Sequence, residues 1–437
     1  KMLVLKWTSV ATAISHQNKT LNEECKSLCE EFRHDGVASV VIKGQSNLEN
    51  YPEELRWYRT PGDIDLWCQA RNGVEIGKVV NGEVVKSEFH GIAGVIEYCK
   101  QYERCRGRDI PWHRVLYYHC ELKSDNVIAI EPHYRISYLH SPVRNHRLQK
   151  WFQEQFDVCL KNNCQLGFPV LTPSVNVVYQ LVHLYRHVFE GGVGLRQLMD
   201  YYFALRVWHN DVMECKDLQS QGMWSEGLGT PVMSKEEVMA VIRSFGMGKF
   251  AGAVMWVLKE VFFKNEETTF GGRRESQCRM KKQRSAAEGK ANEECTEADD
   301  GGERELSGIN RELKEMGPQA DDMGEQQLFT HCKYKEEFIK LKQVSSIGQQ
   351  LKEKCVCEPW MICAPNEKEG RKLLEEIMKG GNFGQYDERG KEFKNGGMIK
   401  HGLWKLKRVM RLVRSYPEEA MWEPMFRVYH LIWRLIH

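Results

Sequence analysis

Apolar positions recur at two different periods along this chain, and the switches between them outline its elements. The run V-A-S-V-V-I-K-G at residues 37–44 is apolar and β-branched up to Lys43 and Gly44. That is the pattern of a buried strand that stops where a backbone can approach a ligand closely. A helical stretch near 20–33 leads into it. A loop carrying Tyr51-Pro52 and Arg59-Thr60-Pro61-Gly62 returns the chain to a second strand, Asp63 to Trp67. The two strands become neighbours if residues 45–55 form a short helix or turn. Residues 126–136, N-V-I-A-I-E-P-H-Y-R-I, alternate around Glu131 and predict a third strand that a sheet can set beside the second. From Thr172 the period becomes helical, with Thr172 as N-cap and Pro173 in the first turn. A second helix follows the glycine turn at 191–194, Ser234 and Glu237 form a capping-box pattern, and residues 253–263 read as a buried helix.

These elements predict an α+β fold: a mixed β-sheet with flanking helices, followed by a mainly helical C-terminal portion. Four segments are expected: 1–165 with the strands, 166–264 helical, 265–335 polar and poor in aromatic residues, and 336–437 helical and packing back on the core. Within the last, the Gly-Gly-Asn-Phe-Gly run near 380–384 reads as a helix cap or a substrate loop. The run at 404–414, W-K-L-K-R-V-M-R-L-V-R, places cations at several helical positions, as a solvated basic face or an RNA-steering one. The ending F-R-V-Y-H-L-I-W-R-L-I-H reads as a packed amphipathic helix, too short and too interrupted by Arg427 and Arg434 to span a membrane.

Composition narrows the class. Sixty-two Lys and Arg against 60 Asp and Glu leave +2 with His neutral, so no global basic field announces nucleic acid. Fifteen cysteines at irregular spacings, with no C-x-x-C, fit neither a disulfide framework nor a zinc knuckle. They suit a reduced cytoplasmic interior, with Cys99 and Cys159 of buried type. No signal peptide or membrane span is visible.

The candidate chemistry centres on G-D-I-D-L-W. Asp63 and Asp65, at i and i+2 on a strand, share one face with about 6.6 Å between their Cα atoms, a natural clamp for Mg²⁺. Glu131 supplies a third carboxylate, and such a set repels itself unless a cation neutralises it. The plain alternatives are that Lys43 and Arg59 are ordinary surface cations and that Glu131 and His133 face solvent. His183 and His187, at i and i+4, lack the acidic neighbour and third ligand of a zinc helix and read as core or supporting histidines. Arg196 and Asp200 are also i and i+4, so Arg196 either pairs with Asp200 or reaches nucleotide phosphates or the acceptor.

Together, K-G, Y-P, R-x-x-G-D-I-D-L, I-E-P-H and the later G-L-R-Q-L-M-D resemble an uncharacterised nucleotidyltransferase family related to the polymerase-β-like superfamily. The resemblance covers roughly residues 30–260 and 360–430. It implies a nucleotidyltransferase-like catalytic sheet and transfer of a nucleoside monophosphate from an NTP such as ATP to an acceptor hydroxyl. Gly44 would be the turn glycine facing the triphosphate, Asp63 and Asp65 the Mg²⁺ (or Mn²⁺) pair, and Glu131 the third carboxylate. The superfamily's usual turn is Gly-Ser, whereas here it is Lys43-Gly44-Gln45, with a long span from Gly44 to Asp63. Phosphate handling is therefore expected to lean on Lys43 and Arg59. The expected acceptor is small or locally recognised, with the tRNA 3′ end as the nucleic-acid alternative. The rival is a nucleotide-binding or interaction protein that kept the scaffold without turnover. No G-x-x-x-x-G-K-[ST], H-R-D or D-F-G supports a kinase.

Overall fold

The computed structural model describes residues 2–71, 73–80, 83–123, 129–220, 232–263, 360–380 and 397–436. The chain forms two compact units, Lys1–Val257 with Glu358–His437, and Leu258–Cys357; of the second, residues 258–263 are described.

Four strands form the central sheet in the order β1-β2-β6-β5. β1 (Ala38–Val41) runs antiparallel to β2 (Ile64–Gln69), with Val41 opposite Leu66. β2 is parallel to β6 (Ala129–His133), and β6 is antiparallel to β5 (Leu122–Lys123). A hairpin, β3 (Val74–Val80) and β4 (Glu83–Phe89), forms a separate two-stranded sheet. The two expected strands are thus neighbours, and the loop between them holds a 3-10 segment at Gly44–Asn50 and the single turn α2 at Glu53–Arg56.

Alternation along β2 decides which side chain meets which layer. Ile64, Leu66 and Cys68 enter the core under α1 (Met2–His34) and α3 (Gly91–Cys105), against Leu21, Cys25, Phe32, Val95 and Cys99. Full burial of one such aliphatic side chain is worth about 1.5–3 kcal/mol, and a slip of one residue would send Asp63 and Asp65 into that core instead. The opposite face carries Asp65 and Trp67. Trp67 meets Phe152 and Phe156 of α4 (Pro142–Lys161) edge-on, with ring centroids 6.0 and 4.8 Å away.

The first helix is longer than the 20–33 stretch expected, because burial on the sheet begins only at Asn18 and recurs at Leu21, Asn22, Cys25, Leu28 and Phe32. The turn before that face is helical yet largely exposed, with Val10 at 52 %. It therefore lacks the apolar stripe by which a sequence announces a packed helix.

Helix α5 (Pro173–Glu190) lies across the same face as Asp65, with every residue from Ser174 to Phe189 buried. It packs against α6 (Leu195–Ser220). α7 (Lys235–Ser244) has the expected capping box, with the Ser234 hydroxyl accepting from the Glu237 N–H and the Glu237 carboxylate from the Ser234 N–H. After α8 (Gly248–Phe263) come α9 (Glu367–Gly380), α10 (Gly397–Leu412) and α11 (Pro417–Ile436). α10 and α11 each contact the N-terminal part of the first unit: Arg408 donates to the Val188 carbonyl at 2.9 Å, and Phe426 stacks on Tyr138 at 4.7 Å. The polar segment 265–335 and the loop from Gly381 lie outside the described residues. Among the described residues, no helix is long and apolar enough to cross a membrane.

Candidate active site

The sheet register sets Asp65 directly opposite Glu131 on the parallel pair β2 and β6, so both carboxylates rise on one face under α5. Asp63 precedes β2 and is exposed at its mouth, while Asp65 is 1 % exposed. Incomplete hydration and the charges of Asp65 and Glu131 push the Asp63 carboxyl up, against the opposing pull of Lys43 and Arg196. Asp65 and Glu131 thus crowd the Asp63 carboxyl with negative charge, a repulsion of the kind that a divalent cation relieves.

Lys43 reaches the same carboxylates from the end of β1, its Nζ 2.9 Å from Asp65 Oδ1. Burial disfavours its charge, but Asp65 and Glu131 outweigh burial and hold the ammonium above its ordinary range. Glu131 mirrors this: burial opposes its ionisation, and the hydrogen bond with His133 and the Lys43 charge nevertheless hold it well below the carboxylate range. Gly44 follows at φ +64, where a Cβ would stand 3.2 Å from the Asp63 carbonyl oxygen. Glycine is needed there to let the turn close onto the acidic strand. Gln45, the next residue, points away: its amide donates to the Asn18 carbonyl and Asn22 Oδ1 at 3.0 and 2.8 Å. Asn47 ties the far end of the turn to α5 by accepting from Gln180 at 3.0 Å.

The cations of the loop are arranged differently from the sequence expectation. Asp200 pairs with Arg59, not with Arg196 one turn before it: Nε and Nη2 of Arg59 each lie 2.7 Å from an Asp200 oxygen, and the Tyr51 hydroxyl donates to Oδ1 at 2.6 Å. Burial disfavours the Arg59 charge, but Asp200 overcomes it. The Asn18 amide donates to the Arg59 carbonyl at 2.8 Å, so Arg59 is a buried brace for the loop rather than a surface cation. Arg196 donates instead to the Thr60 and Pro61 carbonyls at 3.1 and 3.3 Å, which leaves it beside Gly62 and Asp63. Both arginines therefore hold the segment that presents Asp63.

His133 does not face solvent. It is 1 % exposed, with Nε2 3.0 Å from Asp65 Oδ1 and 3.4 Å from Glu131 Oε2. The tertiary structure adds a residue that no sequence signal singled out, His119. Its segment bridges β6 antiparallel with His119 opposite His133, and the two rings lie nearly parallel with centroids 4.9 Å apart. His119 Nε2 is 3.8 Å from the same Glu131 oxygen, and neither ring nitrogen makes a hydrogen bond. A buried polar group left so costs about 1–3 kcal/mol unless something occupies it. Among the described residues, His119, Glu131 and His133 form the one group of three metal-type donors that lie within 4.8 Å of one another. His133 was legible as the residue two after Glu131 on a strand; His119 was not.

α5 closes the site with basic and aromatic groups. Arg186 lies over the Tyr118 and Tyr138 rings, 4.5 and 5.4 Å from their centroids, and pairs with Glu190 at 3.5 Å. His183 and His187 are buried and meet edge-on at 4.3 Å, consistent with supporting rather than zinc-binding histidines. Burial and the neighbouring Arg186 push His187 down to about 3.

No curated protein and no solved structure matches this chain. A family model described as an uncharacterised nucleotidyltransferase matches residues 1–222, which hold the whole sheet, the Gly44 turn, the carboxylates and the bracing arginines; the chain belongs to that family.

Proposed function

We propose that the protein is a metal-dependent nucleotidyltransferase that moves a nucleoside monophosphate from an NTP to an acceptor hydroxyl. The acceptor oxygen attacks the α-phosphorus, the bond from that phosphorus to the β-phosphate bridging oxygen breaks, pyrophosphate leaves, and the hydroxyl proton passes to a carboxylate or water at the site. The observation that carries the reading is the pairing of Asp65 with Glu131 across parallel strands, with Asp63 at the strand mouth and the Gly44 turn closed against it. A bound Mg²⁺ or Mn²⁺, held by Asp63, Asp65 and Glu131, would neutralise the triphosphate and acidify the acceptor hydroxyl. Gly44 lets the phosphates approach the backbone, Lys43 balances charge as it develops, and Arg196 keeps the Thr60–Gly62 loop in register with Asp63.

The acceptor in this reading is small or locally recognised. Two cations of the 404–414 run are already engaged, Arg408 with the Val188 carbonyl and Arg411 with Glu376 at 3.4 Å, which favours that choice over a tRNA 3′ end. The test is Mg²⁺-dependent pyrophosphate release with each NTP and with separated pools of metabolites, protein and RNA. D63N and D65N are expected to abolish release while the chain stays folded by circular dichroism; unchanged release in both refutes the assignment.

A second reading rests on the Lys43–Asp65 contact, because an ammonium standing on that carboxylate already supplies a positive charge. In it the protein binds nucleotide without turnover. Nucleotide affinity with no pyrophosphate under any metal or acceptor selects this reading.

A further inference from the structure

We infer that His119, Glu131 and His133 form a binding site for a borderline divalent cation of the zinc class, a mixed nitrogen and oxygen site that shares Glu131 with the oxygen set of Asp63, Asp65 and Glu131. Three features of the fold converge on it. The bridge between the His119 segment and β6 sets the two imidazoles across from each other, and alternation along β6 puts Glu131 and His133 on one face. Nε2 of His119 and Nε2 of His133 lie 3.8 and 3.4 Å from the same oxygen, Oε2 of Glu131. Ligand arms of about 2.0–2.1 Å at a tetrahedral angle separate donors by about 3.3–3.4 Å; the two edges to Glu131 are near that value and all three donor atoms lie within 4.8 Å of one another, so the site closes by drawing the two rings together.

Burial supplies the second argument. His119 and His133 are 2 % and 1 % exposed, and both ring nitrogens of His119 and Nδ1 of His133 lack a hydrogen-bond partner. A coordinated cation would occupy Nε2 of His119, which otherwise has only the more distant approaches to Glu131 Oε2 at 3.8 Å and Glu121 Oε1 at 4.0 Å. Asp65 Oδ1, 3.0 Å from His133 Nε2, stands next in line as an oxygen donor at the edge of the group. Two imidazoles and a carboxylate suit zinc-class ions, whereas Mg²⁺ takes oxygen ligands and gives up its water reluctantly. The competing arrangement keeps Lys43 as the sole counter-charge and leaves the two rings as a packed pair.

The inference is independent of nucleotidyl transfer, because metal retention reads it without turnover. The 437-residue chain, stripped with a chelator and dialysed, is titrated with Co²⁺ under visible spectroscopy, and bound Co²⁺ is then challenged with Zn²⁺ and with Mg²⁺. One equivalent of Co²⁺ is expected to bind with intense low-coordinate bands, to be displaced by Zn²⁺, and to survive a large excess of Mg²⁺. H119Q should weaken binding about 10- to 100-fold or more, while D63N leaves it nearly unchanged. Absence of stoichiometric Co²⁺ binding, displacement by Mg²⁺, or wild-type affinity in H119Q overturns the site. Should H119Q fail to fold, X-ray absorption of the wild-type Co²⁺ complex decides: scattering from two imidazoles supports the assignment, and an oxygen-only shell refutes it.

Discussion

Replacing Asp200 by Asn strips the negative charge from a pair that is nearly sealed from water. The Arg59 and Asp200 side chains are 4 % and 6 % exposed, and the pair is bidentate, with the Tyr51 hydroxyl as a third donor to Asp200. Surface pairs of this chemistry are worth at most about 1 kcal/mol, but removing one partner of a buried pair leaves an uncompensated charge and costs about 3–5 kcal/mol. Arg59 has few routes of escape, since its carbonyl is held by Asn18 and its loop by Arg196. D200N should therefore lower the unfolding free energy by about 3–5 kcal/mol, read as a lower urea midpoint at unchanged slope. A second, apolar replacement, R59M/D200L, should recover a substantial part of that loss, because the penalty lies in the stranded charge rather than in the missing contact. A loss below about 1 kcal/mol in D200N, or losses that simply add in the double variant, would refute a sealed, coupled pair.

Other substitutions test the turn and the histidine layer. G44A forces a left-handed residue and sets a Cβ 3.2 Å from the Asp63 carbonyl, so it should cost about 1–2 kcal/mol in urea unfolding and raise the KM for NTP; wild-type stability and KM argue against a closed turn. His187 is held neutral down to about 3, whereas the unfolded chain takes up that proton near pH 6.5, so its contribution is lost as pH falls below about 6.5. Between pH 7 and 5 this one residue should remove about 2 kcal/mol of stability, and H187L should show a correspondingly shallower acid limb in urea titrations; an identical limb refutes the buried neutral imidazole. Removal of the capping hydroxyl in S234A should cost about 1 kcal/mol, and a change near zero would mean that α7 is held by packing alone.

Much of this protein is local information. Alternation along I-D-L-W requires Ile64 and Leu66 in the core and therefore sends Asp65 to the opposite face, which is why the acidic strand was legible without coordinates. The mixed sheet, the Gly44 turn, the Thr172 and Ser234 helix starts and the family itself follow from patterns of the same short range. What the chain does not announce are pairings between segments far apart in sequence. Arg196 and Asp200 look like partners at i and i+4, yet Asp200 is taken by Arg59, 141 residues away, because the buried bidentate geometry outcompetes a half-exposed helical pair. Strand alternation leaves His133 open to either a solvent-facing or a site-facing place, which burial of that face decides, and His119 acquires its place only through a bridge to β6. Side-chain period sets the face a residue occupies; long-range burial selects the partner it meets there, and that selection made a strand with two aspartates into a layered site of carboxylates, lysine and histidines.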